Sequence, residues 1–345
     1  MRRILVKATQ QVYQIRPNCV LPYQVGWTQD VAQGLMAFYD GSSCERVAER
    51  HGRNPMFWWR CVCALGRNSL VGSTVKRADR LPQHGLADEK HTWWYDEPVY
   101  LATTVAGGCV LGASLSRTAE ANELKLSYST FLEEARAIEP DYTLTSVNTD
   151  GWQGTTKAWT TLSPKTVLIR CFLHAMMTLR RELRKAALKR EILKQLWEGF
   201  YAQSLTGFTQ ALNAFQDWLQ KQDPSADVQT AVDKFLGKVP AFAPAYAMPE
   251  AYLTSNALDR LMDYQDKRLY AAKYLHCRQL KTTGNLLVRG LAMLWNFHPY
   301  ILRTGRHSPF EDLNGFIYAD NWLENLLTAT SMGGHWSCHQ QKTVE

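Results

Sequence analysis

Three acidic residues stand where chemistry could be done. Asp88 lies in the run GLADEKHTW, Asp150 closes YTLTSVNTD just before Gly151 and Trp152, and Asp259 falls one turn into NALDRLMDYQDKRL. Each holds a place in or at the end of an element, and the ends of strands are where an open α/β sheet gathers ligands. Three carboxylates brought together repel one another unless a divalent cation sits among them. Mg²⁺ is a hard ion held by one or two carboxylates together with phosphate oxygens. Two such ions about 3.5–4 Å apart can clamp the attacking and leaving oxygens of an in-line phosphoryl displacement. That chemistry asks the protein for position and charge, with no covalent nucleophile.

Each acid also has a plainer reading. Glu89 and Asp96 compete with Asp88, which could be a strand-edge charge. Asp150 before Gly151 could form a turn, since Asp-Gly is a common turn pair. Asp263 and Asp266 follow Asp259 at helical spacing, as in a solvated acidic stripe. Cys171 and His174 make a C-x2-H pair with zinc-like spacing, but no second pair lies near it. The alternatives there are a buried thiol with a histidine packed beside it, or a histidine close to the acids. Trp152 could stack on an unpaired base, worth about 1–3 kcal/mol, or fill a core like others of the twelve tryptophans.

The elements that must position these groups are legible as patterns. GLADEKHTW and VYLATTVAGGCVLGASL read as strands joined in hairpin fashion, the second folding back at Gly107-Gly108. NELKLSYSTFLEEARAI is a helix stopped by Pro140. YTLTSVNTD reads as a strand, GTTKAWTTL as a helix and KTVLIRCFL as a strand. From about 174 to 250 the pattern is almost wholly helical, and Thr254 or Ser255 can then cap the helix carrying Asp259. Strands first paired, then alternating with helices, predict a mixed α/β sheet.

Residues 28–66 read differently. Thr28, Ser43 and Asn54 are candidate caps of three short helices that end at Gly41, Gly52 and Gly66. Two short helices and a tight turn before a third make a helix-turn-helix pattern. Its third helix, PMFWWRCVCAL, is unusually apolar and leaves Arg53, Asn54 and Arg60 for polar contacts. The alternative is a three-helix cap with no DNA role. Residues 67–84 are basic and broken, as in a linker.

The 345 residues, 46% hydrophobic and 21% charged, suit a folded chain of about two domains. No stretch reaches the roughly 18 apolar residues of a membrane helix, and the start is too short in apolar residues for a signal peptide. A cytoplasmic protein with reduced thiols is the expectation, and no membrane partner. The net charge of +7 permits a polyanionic partner. Residues 178–194 hold seven Lys or Arg against two Glu, with leucines at helical spacing. They predict one amphipathic helix whose Arg180, Arg181, Arg184 and Lys185 either contact a phosphate backbone or form a solvated face.

Taken in order, VNTDGW, IRCFLH and TSNALDRLM resemble the DDE-type bacterial insertion-sequence transposases, in the style of those related to the Mutator group. The resemblance covers roughly residues 85 to 300. It implies an α/β, RNase H-like mixed sheet with a helical insertion, preceded by an all-α helix-turn-helix domain. The division would be an N-terminal segment 1–27, a DNA-binding domain 28–66, a linker 67–84, a catalytic part 85–174, an insertion 175–253 and a closing part 254–345. It implies Asp88, Asp150 and Asp259 as ligands of two Mg²⁺ (Mn²⁺ in its place), with His174 near them and Cys171 auxiliary. Double-stranded DNA, as element ends and target, would be the partner. A homodimer or larger assembly would work at the bacterial nucleoid. Asp259 departs from the pattern, which usually has Glu there. Its carboxyl is one methylene shorter. The alternatives are a non-catalytic DNA-binding relative and an RNase H-like nuclease without strand transfer.

Overall fold

The computed structural model describes residues 2–8, 10–15, 27–271, 274–299 and 307–331. The chain forms two compact units. One comprises residues 1–80 with 265–345, and the other residues 81–264.

In the first unit, strands β1 (Arg2–Val6) and β2 (Gln11–Ile15) make an antiparallel hairpin. Helices α1 (Thr28–Tyr39), α2 (Cys44–His51) and α3 (Pro55–Leu65) follow. Two expected caps are in place. Ser43 Oγ accepts from Arg46 N at 3.4 Å, and Asn54 Oδ1 accepts from Met56 N at 2.8 Å. The cap position of α1 is Trp27, with Thr28 already helical. Residues 67–84, expected as a linker, include α4 (Leu70–Thr74), all five residues of which are buried. The ammonium of Lys76 is held there by the carbonyls of Gly72 and Ala329.

The second unit is a mixed α/β body. Strands β3 (His84–Trp94), β4 (Glu97–Ala106) and β5 (Cys109–Ser116) form an antiparallel meander. The β4–β5 turn is the expected Gly107-Gly108, with φ of 57° and 75°, values that an L side chain resists. Helix α5 (Ala121–Arg136) leads to strand β6 (Ser146–Thr149), and α6 (Gln153–Leu162) leads to β7 (Val167–Arg170). Both late strands run parallel to β3, in the order β5-β4-β3-β6-β7.

Two boundaries differ from the sequence expectation. The strand read over 165–173 stops at Arg170, and Cys171 becomes the N-cap of helix α7 (Phe172–Glu182). The apolar run there is continuous, so its alternation could not mark where the strand ends. The single helix read over 178–194 is two. The chain turns through 183–188 and restarts as α8 (Lys189–Phe200). Leu183 and Ile192 both enter one apolar core, and a turn lets both reach it. Helices α9 (Leu205–Lys221), α10 (Ala226–Leu236), α11 (Val239–Phe242) and α12 (Pro244–Ala247) complete that core around Phe172. So 172–247 is a helical block with its own interior.

Helix α13 (Asn256–Ala271) carries Asp259 and takes the chain onward. A π-turn (Leu280–Gly284) and helices α14 (Asn285–Phe297), α15 (Pro309–Asn314) and α16 (Trp322–Ser331) belong to the first unit. The residues from 265 on, expected to continue the α/β part, thus cluster with the N-terminal helices. The reason lies in α14 and α3. A Cβ on Gly290 would stand 2.1 Å from the Val62 carbonyl oxygen, and one on Gly66 1.9 Å from that of Leu286. The two helices approach through bare backbone, and Trp58, Cys61, Val62 and Leu65 of α3 are buried. Among the described residues no helix is long and apolar enough to cross a membrane.

Candidate functional site

Parallel register brings the first two acids level. Leu86 of β3 pairs with Asn148 of β6, so two residues further along each strand stand Asp88 and Asp150. Neighbouring strands lie about 4.8 Å apart. The alternation of side chains along β3 then separates Asp88 from its competitor. Glu89 turns to the α5–α6 side, where its carboxylate accepts from Tyr128 Oη at 2.5 Å and from Thr155 Oγ1 at 2.6 Å. The other competitor, Asp96, is exposed in the β3–β4 turn. Asp88 is left on the opposite face, its Oδ1 accepting from Glu89 N at 2.7 Å. Burial, reinforced by the facing Asp150, pushes its acid up to about 7.

Asp150 sits one residue past β6. Its Oδ1 accepts from Trp152 N at 2.6 Å, which folds the turn and starts α6. The turn reading was therefore right about the backbone, and the carboxylate still faces Asp88. Gly151 takes φ +87°, and a Cβ on it would stand 2.7 Å from Nε of Arg170. Trp152 is 56% exposed, beside the acids and outside the core.

The third acid arrives by a pinned return segment. Asn148 Nδ2 donates to the Tyr252 carbonyl at 2.7 Å, and Phe172 N donates to the Leu253 carbonyl at 3.2 Å. Ser255 then donates to the Cys171 sulfur twice, from N at 3.4 Å and from Oγ at 3.3 Å. Three contacts over four residues thereby fix where α13 begins. Ser255 stands at the start of α13, where the sequence offers Thr254 or Ser255 as the cap, and Asn148 carries no such signal. The only mark of Asn148 in the sequence is polarity within an apolar strand run.

His174, in the first turn of α7, lies within electrostatic reach of all three acids. Its Nδ1 lies 3.4 Å from Ser255 Oγ. A hydrogen bond with Cys171 lifts its pKa to about 9 against burial, and Asp259 and Asp150 add to the lift. His174 in turn draws the acids of Asp88 and Asp259 down, while burial draws both up. Burial raises the Cys171 thiol, but its hydrogen bonds with His174 and Ser255 outweigh that and leave it lowered. Cys171 is fully buried and acts as the anchor of Ser255.

The donor chemistry suits a hard cation in part. Asp88 and Asp150 offer oxygen ligands whose mutual repulsion a divalent ion would relieve, and Mg²⁺ needs only one or two carboxylates beside phosphate oxygens. Asp259 is exposed and faces His174. Among the described residues no three His, Cys, Asp or Glu side chains close up to hold a metal ion by themselves.

The remaining expected contacts fall in two places. Arg180 and Arg181 of α7 are exposed, as are Arg184 and Lys185 in the turn before α8. In the first unit Arg53 and Arg60 are exposed, while the Asn54 side chain is engaged in capping α3. Arg53 also lies 5.7 Å from the ring centre of Phe57.

No family model matches the chain, and no curated protein matches it.

Proposed function

We propose that this chain is a DDE-type DNA transposase, with Asp in the third acidic position. In this reading it binds the ends of its element and catalyses metal-dependent strand cleavage followed by strand transfer. The observation that carries it is the parallel register that sets Asp88 of β3 level with Asp150 after β6, with His174 at the start of α7 within electrostatic reach of both and of Asp259. The order of elements supports an RNase H-like reading of the sheet. The first acid is on a meander strand, the second ends a later parallel strand, and a helical block of its own separates both from the third.

Asp88 and Asp150 would hold the divalent ion, which when bound supplies charge neutralisation and an activated water or 3′-hydroxyl. The chain's own residues do the positioning. Glu89 ties β3 to α5 and α6, so Asp88 stays level with the Asp150 turn. Asn148 and Ser255 hold the start of α13 against β6 and α7. The hydrogen bond with Cys171, which lifts His174 to about 9, favours its protonated form beside the acids. Exposed Arg180, Arg181, Arg184 and Lys185 offer a sequence-independent phosphate track. Residues 28–66 would supply a helix-turn-helix, with Arg53 and Arg60 as its exposed cations. Synapsis of two ends calls for at least two copies.

The test is strand cleavage and joining on end-containing duplex DNA with Mg²⁺ or Mn²⁺. Asp150→Asn should lower cleavage by more than about a hundredfold, since even outer-shell changes cost 10–100-fold. Wild-type cleavage by that variant would overturn the reading. The exposure of Asp259 favours one alternative, a DNA-binding relative without catalysis. Binding with no cleavage in either metal would support that instead. Cleavage without a joined product would mark a nuclease.

A further inference from the structure

The helical block lies in sequence between the second and third acids, and its contact with the sheet edge carries a feature that the acid site does not use. Arg170 is the last residue of β7 and pairs in register with Thr149, one residue before Asp150. Its guanidinium is pressed against the Asp150 turn, since a Cβ on Gly151 would stand 2.7 Å from Nε and 2.9 Å from Cζ. Nε is buried and meets no acceptor among the described residues. A buried donor left unmatched on a charged group costs more than the same lapse on a neutral one.

A second cation stands beside it. Lys238, half-buried at the start of α11, comes from the helical block, and α11 packs on β7. Burial, then Arg170, pushes its ammonium toward the neutral form, with Lys234 adding to the push. The acid acting the other way is Glu182, which lies 4.0 Å from Lys234 Nζ. Arg170 and Lys238 are thus like charges held near each other, and Glu182, the acid acting on Lys238, is shared with a third cation. Such a pair is stable where a multivalent oxyanion completes it, and a guanidinium fork suits phosphate in particular.

We propose that Arg170 and Lys238 form a phosphodiester-binding subsite beside the Asp150 turn, built jointly by the end of β7 and the helical block. It rests on the phosphoryl-transfer reading for its ligand, a backbone phosphate of the strand lying at the acids. Gly151 then has a steric role, because any side chain there would displace the guanidinium. The helical block gains a function as well: it closes the second wall of the subsite.

The experiment is binding of a short fluorescent single-stranded oligonucleotide to the full chain in EDTA, by anisotropy across a salt series. Arg170→Gln and Lys238→Gln should each weaken binding several-fold. Each should also lower the slope of log affinity against log salt by about 0.7, the value per phosphate contact on a single strand. Arg170→Lys should keep the slope and lose part of the affinity, because the fork is gone and the charge is not. Lys165→Gln, past the other end of β7, is the control. Should Arg170→Gln lower the melting temperature, Lys238→Gln decides alone. Wild-type affinity and slope in Lys238→Gln, or a loss no greater than in the control, would overturn the subsite. Because no cleavage is read, the expected loss of affinity and slope beside unaffected cleavage in Asp150→Asn would remove the catalytic reading and leave the subsite. The reverse pair of results would remove the subsite alone.

Discussion

Replacing Asp88 by Asn should release stability that the wild-type chain loses as pH rises. Burial and the facing Asp150 raise this carboxyl from 3.8 to about 7. In the unfolded chain it titrates near 3.9. Between about pH 4 and pH 7 the folded state therefore keeps a proton that the unfolded state has released, so stability falls as pH climbs through that window. Below about 4 both states are protonated and the stability is fully present. Above about 7 both are ionised and the loss is complete. Three units at about 1.4 kcal/mol each give roughly 4 kcal/mol as the upper figure. Relaxation of the pair brings the expected loss to the order of 2–4 kcal/mol. Asn is the right probe because it keeps the Oδ1 that accepts from Glu89 N. The assay is urea unfolding of both proteins in EDTA at intervals from pH 4 to pH 8. The two should agree near pH 4, and the variant should exceed wild type by that margin at pH 8. Mg²⁺ added at pH 8 should then stabilise wild type by mass action and leave the variant unchanged. A difference between the two proteins that stays constant across the series would refute the reasoning.

Two further outcomes test the frame around the site. Gly290→Ala should destabilise the protein by about 2–3 kcal/mol, seen as a drop in melting temperature, because its Cβ would meet the Val62 carbonyl of α3. Helix propensity alone favours Ala by about 1 kcal/mol, so a rise in stability would show that α3 and α14 do not approach as described. Trp152→Ala should leave stability within about 0.5 kcal/mol, as befits a side chain 56% exposed. It should weaken binding of single-stranded DNA by about 1–3 kcal/mol if the ring stacks on a base, and unchanged binding would assign it no such part.

Much of the local architecture was written in short patterns. Ser43 and Asn54 cap the helices they were expected to cap, and Gly107-Gly108 closes the expected hairpin. The meander, the two later strands and the helical block occur in the order the sequence suggests. Where patterns were silent, reading failed for identifiable reasons. The 178–194 segment has helical spacing and no breaker, yet it turns at 183–188 because Leu183 and Ile192 share one core. The 165–173 run alternates too little to mark its end, so Cys171 reads as part of a strand although it caps a helix.

The sequence by itself determined the kinds of groups available and the local turns that present them. Caps, hairpin glycines and side-chain periodicity depend on residues within a few positions of one another, and so can be read directly. Tertiary structure decided which groups meet. Asp88 and Asp150 are level only because β3 and β6 run parallel in one register. Glu89 is withdrawn to the α5–α6 side by Tyr128 and Thr155. Ser255 reaches Cys171, and Lys238 comes near Arg170, across long stretches of intervening chain. Such encounters are fixed by the packing of whole elements, which no window of neighbouring residues contains.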